Sequence, residues 1–469
     1  VCVTRPVRAD SRERPATLKI LVSKGAEKTV PFPPRPEGRG FSGTLMISVQ
    51  NLKEFLFTVV TVTLCFLAQA KEPPPGGNVE SLLAIAWEKN PEYVGNRYEV
   101  EAAVARVTPA GALPDPKFRM ELRDLTRMGE RDITLSPNRV GSTRYLLMQD
   151  VPWFGKRDLK REVAELEVES AQGRALDVWN NIAAKIKTTY AQLYYLYRNE
   201  RLTREILDLM MRLEKIAQVR YANALSAQQD VIRAQVEQTN LRNELIILAT
   251  EHHHLHIRMN ALLARPATAP LAEPEKLRPL PSPTQWDYSA LEDRARAHNP
   301  LLSSDEARVK ATEKNRELTY KNRYPDFTFG ISPIQYRNSV KEWEMMIEVN
   351  IPLQQFSRRA QEREAEAIFS AARSRWEAST NQILSDLSEN IAAIDSARKT
   401  EALIIDVLLP QSEVTFQSAL TGYETGKVDF ATLLDAQRQI RQAKQNQIKA
   451  QAEGQARLAE TERLLGGDL

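Results

Sequence analysis

From Trp153 to Ala222 the sequence contains no proline and only two glycines, and Ala, Glu, Gln, Arg and Leu dominate it. A run of about 70 residues with that composition predicts one helix roughly 105 Å long, at ~1.5 Å per residue. No helix of that length fits inside a compact domain. A second run, from about Leu353 to Gly422, is as long, and Pro410 inside it predicts a kink. Shorter helices are expected after each long one, at about 226–264 and 427–464, and before each, at about 78–112 and 287–322. One return helix plus the opening helix of the next copy equals one long helix in length. The short helices are therefore expected to stack end to end beside the long ones and form a water-soluble rod.

The chain carries this unit twice. Tyr221-Ala222-Asn223-Ala224-Leu225, then Asp230 and Ala234-Gln235, match Tyr423-Glu424-Thr425-Gly426-Lys427, then Thr432 and Ala436-Gln437, at an offset of 202. Phe154-Gly155-Lys156-Arg157 matches Phe356-Ser357-Arg358-Arg359 at the same offset. Asn90-Pro91 matches Asn299-Pro300 at 209, and Pro114-Asp115 matches Pro325-Asp326 at 211. Each match is weak alone, but their shared order implies a duplicated fold with small loop insertions. The expected organisation is a first repeat over 71–265, a Pro-rich linker over 266–284 and a second repeat over 285–469.

Each repeat also holds two strand-like stretches, at about 116–126, 142–151, 325–334 and 342–352; three alternate with period two, and 142–151 is less regular. Phe118, Met120 and Leu122 alternate with Lys117, Arg119, Glu121 and Arg123. Phe327 and Phe329 alternate with Asp326 and Thr328, and Trp343, Met345, Ile347 and Val349 alternate with Glu342, Glu344 and Glu348. That pattern suits strands with one face in lipid and the other in a watery lumen. A half-buried soluble sheet gives the same alternation, but the density of charge on the polar side favours the barrel. Four strands cannot close a barrel, and an open sheet in lipid would leave its edge amides and carbonyls unpaired. Several chains must then share one barrel, and threefold symmetry gives twelve strands. The fold class expected is mostly α with a small β part: a long α-helical barrel joined to a trimeric twelve-stranded transmembrane β-barrel.

The amino-terminal part reads as a targeting segment. Lys53 is followed by the uncharged apolar run Phe55 to Leu67 and by Ala68-Gln69-Ala70, a small-x-small cleavage pattern. Residues 46–70 are expected to be a signal peptide, and 1–45 a non-native or disordered extension. Residues 1–70 carry a net charge of +5, so the remaining chain is −2 and the basic pI of the whole sequence says nothing for nucleic-acid binding. Both cysteines, Cys2 and Cys65, lie in that segment, so no disulfide or thiol chemistry is expected beyond it. Leu64 beside Cys65 argues against lipidation.

The run Gly422-Tyr423-Glu424-Thr425-Gly426-Lys427-Val428-Asp429-Phe430, continuing to Leu433-Leu434-Asp435-Ala436-Gln437, and the run Asp150-Val151-Pro152-Trp153-Phe154-Gly155-Lys156-Arg157 resemble the TolC family of outer-membrane efflux proteins. The similarity covers about 78–465 and is nearest to the heavy-metal, CzcC- and CusC-like branch. It implies a homotrimer in the outer membrane of a Gram-negative bacterium, reaching into the periplasm. The implied partners are a periplasmic membrane fusion protein, an inner-membrane RND pump driven by protons, and outer-membrane lipid. The function implied is a passive duct for heavy-metal cations, with small organic compounds as the alternative cargo. A periplasmic coiled-coil adaptor without a pore is the rival from another class, and the four alternating strands speak against it.

The resemblance also assigns sites. Ala224, Leu225, Gly426 and Lys427 fall on turns that dock the fusion protein. Ala224 replaces the glycine expected at the first turn, which predicts a different turn there. Asp230 and Asp435 resemble carboxylates that ring the periplasmic constriction. Tyr423 resembles a tyrosine that holds the closed state, and Val428 stands where some relatives keep its basic partner.

Outside the resemblance, His252 and His256 are spaced i, i+4 and could share a metal. With no Cys or carboxylate at fitted spacing, the expectation is no specific metal site. There is no Gly-rich phosphate loop, nucleophile elbow or His-Glu-x-x-His motif, so no enzyme activity and no cofactor are expected.

Overall fold

The computed structural model describes residues 74–129, 132–281 and 287–469. The expected extension and signal peptide lie outside these residues. The element order is α1 (Val79–Lys89), α2 (Pro91–Gly111), β1 (Lys117–Arg123), β2 (Ser142–Val151), α3 (Lys156–Ala222) and α4 (Gln228–Leu262). The same order then recurs as α5 (Tyr288–His298), α6 (Pro300–Lys321), β3 (Asp326–Tyr336), β4 (Ser339–Asn350), α7 (Gln355–Leu403), a π-helical turn (Ile404–Leu408), α8 (Leu409–Glu424) and α9 (Phe430–Leu465). The internal repeat is thus a repeat of structure.

Two features differ from the sequence reading. Each opening helix is broken in two at its Asn-Pro pair. Proline disfavours the helical conformation in the residue before it, and both asparagines sit at ψ near 120°. Each side chain then works at two helix ends. The Asn90 Oδ1 accepts from the Glu92 and Tyr93 amides at the start of α2, while its Nδ2 donates to the Leu262 carbonyl at 2.8 Å. Asn299 caps α6 through the Leu302 amide and donates to the Leu464 carbonyl at 2.8 Å. A return helix therefore abuts the opening helix of its own repeat, not that of the next copy. The second difference lies at Pro410. The disturbance takes the form of the wider π turn just before it, from which α8 restarts with the proline in its first turn. A proline there lacks a donor that the first turn leaves unused in any case.

No single core runs through the described residues. Leu82, Ala86, Tyr93, Ile182, Ile186, Met259 and Leu263 form one cluster. Leu291, Ala295, Leu302, Ile383, Leu387, Leu464 and Leu465 form its counterpart in the second repeat. A third cluster, with Met210, Leu213, Leu241, Phe430 and Leu433, lies toward the two interhelical turns. Between clusters the helices approach closely through small residues. A side chain at Gly173 of α3 would meet the Pro300 carbonyl and Ser304 of α6, each at 2.8 Å. The Pro-rich linker is strapped down by charge. Lys187 of α3 binds Glu462 of α9 at 2.6 Å, and Arg278 of the linker binds the same carboxylate at 2.9 Å.

The four strands form one antiparallel sheet in the order β1-β2-β3-β4, which leaves β1 and β4 as free edges. No described helix is long and apolar enough to cross a membrane.

Candidate functional site

The helices α3 and α8 end in two turns of the same construction. At the first, the Ala224 amide donates to the Tyr221 carbonyl and the Leu225 amide to that of Arg220. At the second, the Gly426 amide donates to Tyr423 and the Lys427 amide to Gly422. Ala224 has φ 57° and Gly426 φ 78°. The expectation of a different first turn is corrected: alanine here adopts the left-handed conformation that glycine adopts at the equivalent place. An L-residue is disfavoured there by about 1–2 kcal/mol, partly offset by the greater chain entropy that glycine loses on folding. Ala224→Gly should therefore stabilise the fold by about 1 kcal/mol, read as a rise in the denaturation midpoint; a fall in the midpoint would count against the argument. Leu225 and Lys427 are exposed at the turn apices.

One arginine ties the two turns together, and the sequence reading missed it. Arg220 donates from Nη1 to the Glu424 carbonyl at 2.7 Å and from Nη2 to the Leu225 carbonyl at 3.3 Å. Its guanidinium lies 5.0 Å from the centre of the Tyr423 ring. Tyr423 is buried, packs on Phe430 at 5.2 Å, and its hydroxyl lies near Ser226 and Arg220. Burial, and then the nearby Asp230 carboxylate, push the phenol above its ordinary pKa. The cation beside Tyr423 thus comes from the first repeat, and Val428 brings none. The available signal was a cation in the last turn of α3, where helix carbonyls are left without amides.

The two aspartates stand in different surroundings. Asp230, in the first turn of α4, is buried, and burial raises its pKa while Arg233 pulls it down. Asp435 is largely exposed on α9, with Arg438 at 3.9 Å, and lines a groove with Ile232, Val236 and Leu434. Asp429 caps α9, accepting from the Thr432 amide at 3.0 Å and from the Thr432 hydroxyl, and those hydrogen bonds lower its pKa.

At the other end the sheet shows one continuous apolar face. The register aligns Phe118 with Leu147, Leu147 with Ile331, and Ile331 with Met345. It also aligns Phe327 with Val349 and Phe329 with Ile347. Phe118, Met120, Phe329, Trp343, Met345, Ile347 and Val349 are exposed on this face, and Leu122 and Phe327 are half-buried. Trp343 and Met345 are 69% and 79% exposed, far beyond what a sheet packed on a soluble core would leave uncovered. The opposite face carries the charges, including the Arg144–Glu344 pair at 2.7 Å. It also encloses Leu146, Met148 and Ile334. Gly330 makes room there: a side chain at that position would meet Leu146 at 3.1 Å.

His252 and His256 do come together, with ring centres 4.2 Å apart, and Tyr197 Oη lies 3.2 Å from His256 Nε2. Burial lowers the pKa of both rings. Among the described residues no group of three or more His, Cys, Asp or Glu is placed to hold a metal.

The outer membrane efflux protein family matches over residues 291–467, the span of the second repeat. The cobalt-zinc-cadmium resistance protein CzcC of Cupriavidus metallidurans is 24% identical over 371 residues, covering 78% of this chain and 84% of its own. Among solved structures, the outer membrane protein VceC of Vibrio cholerae superposes with a TM-score of 0.71 at 16% identity, over 83% of this chain and 96% of its own. CusC, described in terms of folding and transmembrane channel formation, superposes with a TM-score of 0.71 at 15% identity, over 83% and 92%. With a duplicated helical rod and a lone four-stranded sheet, the chain shares the fold of these outer-membrane channels, and its second repeat matches the outer membrane efflux protein family.

Proposed function

We propose that the chain is the outer-membrane channel of a tripartite efflux system and exports heavy-metal cations. The observation that carries this reading is the four-stranded sheet, with two free edges and an exposed apolar face opposite a charged one. Such a sheet is stable in lipid only if its edges are paired. Three copies supply twelve strands, an accepted size for a transmembrane barrel. The helical rods then line a tunnel that reaches into the periplasm, and the turns around Ala224-Leu225 and Gly426-Lys427 meet a periplasmic fusion protein.

Three Asp435 side chains add a ring of negative charge that attracts cations, and the buried Asp230 lies behind it. The chain is a passive duct, and a proton-driven inner-membrane pump of the RND type supplies the energy. The metal cargo rests on the similarity to the cobalt-zinc-cadmium resistance protein.

Deleting the gene should increase sensitivity to zinc, cobalt or cadmium, and restoring it should reverse this. Unchanged tolerance across a panel including copper and silver, with new sensitivity to small organic compounds, would move the cargo to the alternative. Recovery of the protein in the soluble periplasm without detergent would overturn the channel itself.

A further inference from the structure

The sheet is electrically lopsided. On its charged face, the edge strand β1 presents Lys117, Arg119 and Arg123 around a single acid, Glu121. The other edge strand, β4, presents Glu342, Glu344 and Glu348 and no base on that face. Lys117 is held by Asp150 of β2 at 2.7 Å, but contacts within the chain still leave both edges unbalanced. Arg119, Arg123 and Arg144 all converge on Glu121, at 3.8, 3.2 and 3.9 Å. On β4, Glu344 is held by Arg144, and Glu348 has no basic partner among the described residues. These are also the strands whose outward edges have no hydrogen-bonded neighbour.

We propose that β4 of one copy pairs with β1 of the next through a ladder of opposite charges on the lumen side. The seam would join Glu342, Glu344 and Glu348 to Lys117, Arg119 and Arg123 of the adjoining copy. This rests on the shared-barrel reading and adds what selects the partner edge. Alternate strands in the order β1-β2-β3-β4 run oppositely, so β4 against the next β1 is again antiparallel. The two charged faces then lie on the same side of the joint, because side chains of paired strands share faces. Opposite charges facing each other across strands favour pairing, and like charges oppose it. Joining β1 to β1 would face bases with bases, and β4 to β4 acids with acids. The charge pattern thus permits only the head-to-tail joint that closes a ring.

The test uses the full chain, extracted from membranes in detergent. One variant carries Lys117→Glu, Arg119→Glu and Arg123→Glu; a second carries Glu342→Lys, Glu344→Lys and Glu348→Lys; a third carries all six. Native electrophoresis and light scattering read the trimer fraction, and circular dichroism reads the helices. Each half-reversed variant should lose at least tenfold in trimer, and the full reversal should regain most of it with helicity unchanged. A second measurement uses Arg119→Cys with Glu344→Cys and a dimaleimide of short reach. Within one chain these strands are three spacings apart, about 14 Å at ~4.8 Å each, so a shorter linker joins only different chains and should give dimers and trimers.

If the wild type is itself not trimeric, the shared barrel falls and the seam with it. A trimeric wild type whose half-reversed variants assemble equally well, or whose cysteines link no chains, overturns the seam alone.

Discussion

Phe329→Arg is expected to abolish stable membrane assembly while leaving the helical rod folded. Phe329 sits on β3 between Gln149 of β2 and Ile347 of β4, and stacks along the strand with Phe327 at 6.3 Å. On a lipid face, a buried arginine costs about 2–4 kcal/mol near the bilayer centre. A shared barrel incurs that cost three times, so the loss is on the order of 10 kcal/mol per assembly. The same change on a sheet in water would cost little, because Phe329 is already 46% exposed. Thr328→Arg is the control. It places the same charge on the opposite face, beside Asp150 and Glu348, and should assemble. Membrane fractionation with a folding-sensitive gel shift measures both. Equal tolerance of the two changes would mean that the apolar face meets water.

Arg220→Ala should loosen the turn end of the rod. It removes two charge-assisted hydrogen bonds to carbonyls and the contact with the Tyr423 ring. Discounted for partial exposure, the loss is about 2 kcal/mol, or roughly thirtyfold in the population of locally opened turns. The expected readouts are faster proteolysis near residues 222–228 and a higher open probability in planar bilayers. Arg220→Lys, which keeps the charge but not the fork, should lie between the two. Unchanged cleavage and conductance would show that Arg220 only decorates the surface.

Much of this was legible because it is written in periodicity. Three strands announced themselves through alternation, and the less regular Ser142–Val151 still appeared within its expected bounds. The helical runs followed from composition, and the duplication from residue offsets. What escaped were features set by single atoms across the fold. Asn90-Pro91 was visible as a repeat marker, but not as a break that also binds the end of another helix. Ala224 argued against a left-handed turn because alanine avoids that conformation in isolation, yet the surrounding hydrogen bonds hold it there. Arg220 had no counterpart in the second repeat, since position 422, at the matching offset, is Gly. Its role exists only where two repeats meet.

The paired asparagines have a mechanical consequence. Each donates to one carbonyl at the end of one helix and accepts from the first turn of another with a single side chain, so two segments far apart in sequence are spliced into one strut. The interrupted lines of the wall therefore carry load much as the long helices beside them do. A twist applied at the turns passes through the splice instead of dissipating in a loop. Two small amides, one per repeat, let a wall assembled from fragments transmit torque as a continuous beam.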